Sequence, residues 1–215
     1  GQDYTYAESN KEYALILLGG KCSVQGDGIS YRQIGQRQNV FDGPATALYL
    51  PRNRKFTVTA DREVTVAVCK SPAARDFQPV LVNPQDVVVK ELGKPGWKRQ
   101  AHFIVDERVP ANLIYVGEAF VDGGQWASYP PHKHDQDNMP TEAFSEEIYY
   151  FEYDKPTGFG IQRVYTADGS IDEWLSTTTH QVLDLCTGNG SLACLAAMAY
   201  PDVAVTGADL SPDAL

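Results

Sequence analysis

The sequence predicts a mainly β chain, with short antiparallel strands in a sandwich or barrel, followed by a short βαβ fragment. Three observations predict this. Between Tyr13 and Glu173, short runs rich in β-branched and aromatic residues alternate with period 2. Gly, Pro, Asn and Asp punctuate them, as at Asp27-Gly28, Asp42-Gly43, Asp122-Gly123 and Asp168-Gly169. From Trp174 onward the character changes: the last 42 residues hold four Asp and seven Ala but no Lys or Arg.

Taken in order, Tyr13 to Leu18 is an apolar run that ends at Gly19-Gly20. Ile29 to Ile34 alternates, and Ala45 to Leu50 stops at Pro51. Phe56 to Thr59 and Val64 to Val68 alternate again. Val80 to Val82, Val87 to Val89, His102 to Val105, Leu113 to Phe120, Glu147 to Tyr153 and Phe159 to Tyr165 complete the series. Beyond it, Gln181 to Leu185 reads as a buried strand, Ser191 to Tyr200 as a helix and Val203 to Ala208 as a second buried strand. Ser211-Pro212 starts another helix, with Ser at the N-cap and Pro in the first turn. A βαβ unit belongs in a parallel sheet, so a fusion joint is expected near Glu173.

The 215 residues are 43% hydrophobic and 21% charged, as in a globular protein. The net charge of −10 argues against nucleic acid as the main partner. Cys22, Cys69, Cys186 and Cys194 are far apart and form no CxxC, which argues against a disulfide scaffold or Cys-based zinc site and makes a reducing cytoplasm the expected location. No apolar run approaches membrane-spanning length, and the polar start lacks a signal-peptide pattern. Gly1 in place of Met reads as an N-terminus that has been cut away.

The chemistry concentrates in Pro130-Pro131-His132-Lys133-His134-Asp135. In an extended segment residues i and i+2 point to one side, so His132 and His134 can present two imidazoles to one point while Lys133 faces solvent. Glu146 and Glu147 open the next expected strand, and one of the two carboxylates can stand opposite the histidines. Two imidazole nitrogens and a carboxylate oxygen suit Zn²⁺, Mn²⁺, Fe²⁺ or Ni²⁺. A site of this kind with open positions can polarise a sugar carbonyl. His102 is expected to be a packed or exposed strand residue, and His180 to lie on the surface.

The segments PPHKHD, EEIYYFEY, GFGIQRVYT and DGSIDE resemble the 5-deoxy-glucuronate isomerases of inositol catabolism, the IolB type. YALILLGGKCSV, YRQIGQRQNVFDGPATALYLP and EVTVAVCKSPA resemble that family's first cupin. The resemblance covers about residues 13–173. It implies a bicupin, with the first cupin over 1–95, N-terminally truncated, and an incomplete second cupin over 96–173. It also implies a metal-dependent aldose–ketose isomerisation of a small sugar acid, 5-deoxy-glucuronate to 2-deoxy-5-keto-gluconate. His132, His134 and Glu147 match the metal ligands, with Glu146 the alternative to Glu147. The family's fourth ligand, a His in a Gly-Tyr-His-Pro turn, has no counterpart in this sequence. The reaction needs a base, for which a carboxylate near the metal such as Glu147, a metal-bound hydroxide, or a tyrosine such as Tyr165 are the candidates. Arg163 is the candidate to hold the substrate carboxylate. A homo-oligomer is left open.

The tail, 174–215, resembles motif I of the S-adenosylmethionine-dependent protein-glutamine N5-methyltransferases. Gly188 and Gly190 form a glycine turn between strand and helix, and Asp209 ends the next strand, 19 residues after Gly190. In that family Asp184, Gly188, Gly190 and Asp209 would flank or contact S-adenosylmethionine. The family's Asn-Pro-Pro-Tyr motif is absent, and two strands with one helix cannot cover both faces of a parallel sheet. The alternatives to an isomerase are therefore a methyltransferase-type cofactor binder and a non-catalytic chimera.

Overall fold

The apolar run after Glu12 becomes the longest described strand, β2 (Lys11–Gly19), and it is buried from end to end. The structure is a computed structural model that describes residues 2–60, 62–129, 132–162, 181–185 and 204–208. The chain divides into two compact units, Gly1–Pro156 and Thr157–Leu215.

The first unit holds three antiparallel sheets. In the first, β1 (Gln2–Tyr6), β6 (Phe56–Ala60), β3 (Cys22–Gly26) and β4 (Ile29–Ile34) lie side by side in that order. The second runs β7 (Thr65–Pro72), β2, β5 (Thr46–Leu50), β8 (Val80–Val82). The third runs β11 (Val116–Phe120), β10 (Arg99–Val105), β9 (Val88–Leu92). The only helical elements among the described residues are two 3₁₀ turns, Val40–Asp42 and Pro84–Asp86.

The second sheet is the middle layer. Along β2, Tyr13, Leu15 and Leu17 pack with Val24 and Phe56 of the first sheet. Ala14, Ile16 and Leu18 face the other way and pack with Ile104 and Val105 of β10. A strand with no solvent face gains from apolar residues at every position, which is why β2 reads as a continuous run instead of an alternation. Tyr6 stacks on Phe56 at 5.1 Å and Tyr13 meets it edge-on at 5.1 Å, closing the first core with aromatic area. The β3–β4 hairpin turns on Asp27-Gly28, where Gly28 takes φ +70, a conformation that glycine adopts without a Cβ clash.

Two buried ionic clusters tie the layers together. The fully buried Glu12 carboxylate accepts from Tyr49 Oη at 2.8 Å, Ser71 Oγ at 2.9 Å and the amides of Asn112, Leu113 and Ile114 at 2.7–2.9 Å. Burial pushes its pKa up, but the hydrogen bonds outweigh this and hold it down at about 2. In the second cluster, Arg37, 4% exposed, grips both oxygens of Glu118 and donates to the carbonyls of Leu17 and Gly43 at 3.0 Å. His102 stands beside that pair as a packed strand residue, its ring 4.7 Å from Phe120 and its Nε2 2.9 Å from Gln100 Oε1. Burial is the largest influence on its pKa and lowers it; Arg37 acts in the same direction and Glu118 against.

Most expected strands fall where the alternation puts them; three differ, and two further strands, β1 and β3, form where none is expected. β1 and β3 are short and largely polar, QDYTY and CSVQG, and neither carries a sustained apolar pattern of its own. The strand expected over Leu113 to Phe120 starts only at Val116, because the amides of Leu113 and Ile114 bind Glu12 instead of a neighbouring strand. The strands expected from Glu147 and from Phe159 are corrected: residues 147–153 and 159–162 pair with no strand among the described residues, and Ile148 and Phe159 are 97% and 82% exposed. An extended run becomes a strand only where another backbone lies alongside to take its hydrogen bonds.

In the second unit, β12 (Gln181–Leu185) and β13 (Ala204–Ala208) pair in parallel, with Asp184 opposite Gly207. These are the two strands expected of the tail. The helix expected at Ser191 to Tyr200, the Ser211-Pro212 helix start, His180 and the joint near Glu173 lie outside the described residues.

Candidate metal centre

His132, His134 and Glu147 come together: one ligand atom from each lies within 4.8 Å of the other two, and all three residues are exposed. His134 Nε2 and Glu147 Oε1 lie 3.6 Å apart. Two ligands at about 2.1 Å from one ion, at tetrahedral or right angles, stand about 3–3.4 Å apart. The observed pair exceeds that by a few tenths of an ångström and the three donors lie within 4.8 Å of one another, so their chemistry suits a single ion once the side chains close on it. The two imidazoles meet edge to face, with centroids 5.8 Å apart and an interplanar angle of 78°.

The loop around the histidines is organised by one carboxylate. Glu142 Oε1 accepts from Lys133 Nζ at 3.0 Å, Asp135 N at 3.1 Å and Gln136 N at 3.0 Å. The backbones of Asn138 and Glu142 bond to each other, and Ser145 N donates to the His134 carbonyl at 2.9 Å. The backbone at His134 is therefore pinned from both sides. Lys133, expected to face solvent, is half-exposed and bonded to Asp135 and Glu142, which push its pKa up. At His132, Nδ1 lies 3.3 Å from the Tyr129 carbonyl, a contact that selects the tautomer with the Nε2 lone pair free for a metal.

Of the two adjacent carboxylates, the structure brings Glu147 to the histidines and leaves Glu146 outside the cluster. Glu147 Oε2 is occupied by the Tyr149 hydroxyl at 2.6 Å. Burial and then Glu147 push the Tyr149 phenol up to about 12, so it is a donor across the physiological range. Sequence reasoning missed Tyr149 and Glu142. Tyr149 carried a usable signal, because it lies two residues from Glu147 in an extended segment. Glu142 carried none, since its role comes from loop closure. Arg163 and Tyr165 lie outside the described residues, as do Gly188, Gly190 and Asp209, while Asp184 lies in β12.

Comparison with known proteins places this geometry in context. The KduI/IolB family model matches residues 1–201. The 5-deoxy-glucuronate isomerase of Bacillus velezensis is 40% identical over 190 residues, which cover 87% of this chain and 70% of the relative. That of Bacillus subtilis strain 168 is 38% identical over the same shares. That of Geobacillus kaustophilus is 41% identical over 174 residues, 80% of this chain and 63% of the relative. The crystal structure of an IolB-like protein from Salmonella typhimurium LT2 superposes with a TM-score of 0.63 at 32% identity, covering 67% of this chain. The chain spans 55% of the length of that solved protein. The methyltransferase resemblance of residues 174–215 gains no support from these matches, and the family match runs past Glu173 into that segment. Among the described residues no helix is long and apolar enough to cross a membrane. By the extent of the family match and the identity to its curated members, the chain belongs to the KduI/IolB family.

Proposed function

We propose that this chain carries the metal centre of a cytoplasmic sugar-acid isomerase that interconverts an aldose and a ketose, with 5-deoxy-glucuronate as its substrate. The observation that carries the reading is the convergence of His132, His134 and Glu147, in a chain 40% identical to a 5-deoxy-glucuronate isomerase. A bicupin arrangement is part of the same reading.

The two imidazoles and the Glu147 carboxylate would hold a divalent transition metal such as Zn²⁺, Mn²⁺ or Fe²⁺. When bound, it supplies Lewis acidity to the sugar carbonyl. The isomerisation moves a proton from the hydroxyl-bearing carbon to the neighbouring carbonyl carbon, while a second proton passes between their oxygens. Glu147 and Tyr165 are the chain's own candidates for the base, and Arg163 is the candidate partner of the substrate carboxylate.

Elemental analysis of the purified protein tests the reading. About one equivalent of transition metal per chain is expected, lost on His132→Ala, along with isomerisation of 5-deoxy-glucuronate. A well-folded protein without metal affinity would overturn it.

A further inference from the structure

Along the segment that supplies Glu147 the exposure of the side chains alternates. Ile148 and Tyr150 are 97% and 69% exposed, whereas Tyr149 and Phe151 are 50% and 53% exposed. Tyr149 and Phe151 stack at 6.0 Å with their planes 13° apart. Glu147, Tyr149 and Phe151 thus share one side, as the i, i+2 rule requires. On that side the Tyr149 hydroxyl donates to Glu147 Oε2 at 2.6 Å, while Glu147 Oε1 is the oxygen facing His134 Nε2.

We propose that Tyr149 is a positioning residue of the metal centre: its hydroxyl holds one oxygen of Glu147 so that only the other is offered to the ion. A free carboxylate can rotate or chelate an ion with both oxygens. Engaging Oε2 removes both options and leaves Oε1, on the His134 side, as the oxygen that an ion would take. Ligating carboxylates are commonly oriented by hydrogen bonds of this kind, and losing such a partner weakens metal affinity about 10–100-fold. The Phe151 stack fixes the ring that carries the hydroxyl, so little rotamer freedom is lost when the bond forms.

The proposal rests on the metal reading above, and titration of the protein with Zn²⁺ alone separates the two. Tyr149→Phe keeps the ring and its stack and removes only the donor. It is expected to weaken Zn²⁺ binding about 10–100-fold with an unchanged melting temperature of the metal-free protein. Tyr150→Phe, on the opposite side, is expected to leave binding unchanged. In a Glu147→Ala background the effect of Tyr149→Phe is expected to vanish, because it acts through that carboxylate. If the natural chain binds no Zn²⁺, the metal reading itself falls. If it binds and Tyr149→Phe binds equally well, or the effect persists without Glu147, the positioning role is overturned and the metal reading stands.

Discussion

Glu12→Gln is expected to lower the free energy of unfolding by about 2–5 kcal/mol, read as a drop in the urea midpoint. The Glu12 carboxylate is fully buried, and its oxygens serve only donors: two hydroxyls, the Asn112 side-chain amide and three successive backbone amides. A glutamine replaces one of those oxygens with an NH₂ group, which turns donor against donor at Leu113 and Ile114 or at Tyr49 and Asn112. Buried donors left without an acceptor bear the full cost of losing water. The same contacts predict the pH dependence. The pKa of Glu12 is held at about 2 in the fold, below its usual 4.5. Its contribution is therefore fully present above pH 4.5 and is lost as the pH falls toward 2. The stability difference between the natural chain and Glu12→Gln should shrink across that window. A constant difference would show that the charge on Glu12 is not what the three amides recognise.

Arg37→Leu carries the second large effect, a loss of about 3–5 kcal/mol. Arg37 and Glu118 have side chains only 3% and 16% exposed, so removing the guanidinium leaves a carboxylate with little water and takes a donor from the carbonyls of Leu17, Val40 and Gly43. The double substitution Arg37→Leu with Glu118→Leu should recover much of the loss, because an apolar pair needs no counter-charge. A further signature distinguishes this pair from ordinary packing. His102 Nδ1 lies 3.9 Å from Glu118 Oε2, and Arg37 depresses the His102 pKa while Glu118 raises it. In Arg37→Leu the imidazole faces an unneutralised carboxylate, so its pKa should rise. The stabilisation gained by its protonation is present at acid pH and lost as the pH rises through the new value. The variant should therefore be less impaired at pH 5.5 than at pH 8. An equal deficit at both would show that Glu118 is not the carboxylate felt by His102.

Neither residue stood out in the sequence, and the reason is physical. Alternation and turn chemistry are local, so they placed β2, β4, β5, β8 and the Asp27-Gly28 turn well. Glu12 reads as the polar start of an apolar run, and only contact with residues 100–102 positions away makes it a buried anion. Arg37 sits in a polar loop and meets Glu118 across 81 residues. The candidate site was more legible because its ligands are close in the chain. His132 and His134 are related by the i, i+2 rule, and Glu147 follows 13 residues after His134. The choice between Glu146 and Glu147 needed the three-dimensional arrangement, which depends on a loop tied by Glu142. The same local logic overreached after Glu147: alternation there is real, but pairing needs a neighbouring backbone that no local pattern supplies.

The Glu12 cluster also bears on how long the folded protein lasts. Its bonds to Asn112, Leu113 and Ile114 close a stretch of 100 residues or more, whereas the β3–β4 hairpin closes over a two-residue turn. Contacts of such separation form after the local ones, because chain entropy must be surrendered before they contribute. Glu12 therefore acts on the native side of the folding barrier. In stopped-flow measurements, Glu12→Gln should speed unfolding while the refolding rate stays nearly constant. The buried carboxylate works as a latch: it does not hasten the chain's arrival at its fold, but it delays departure.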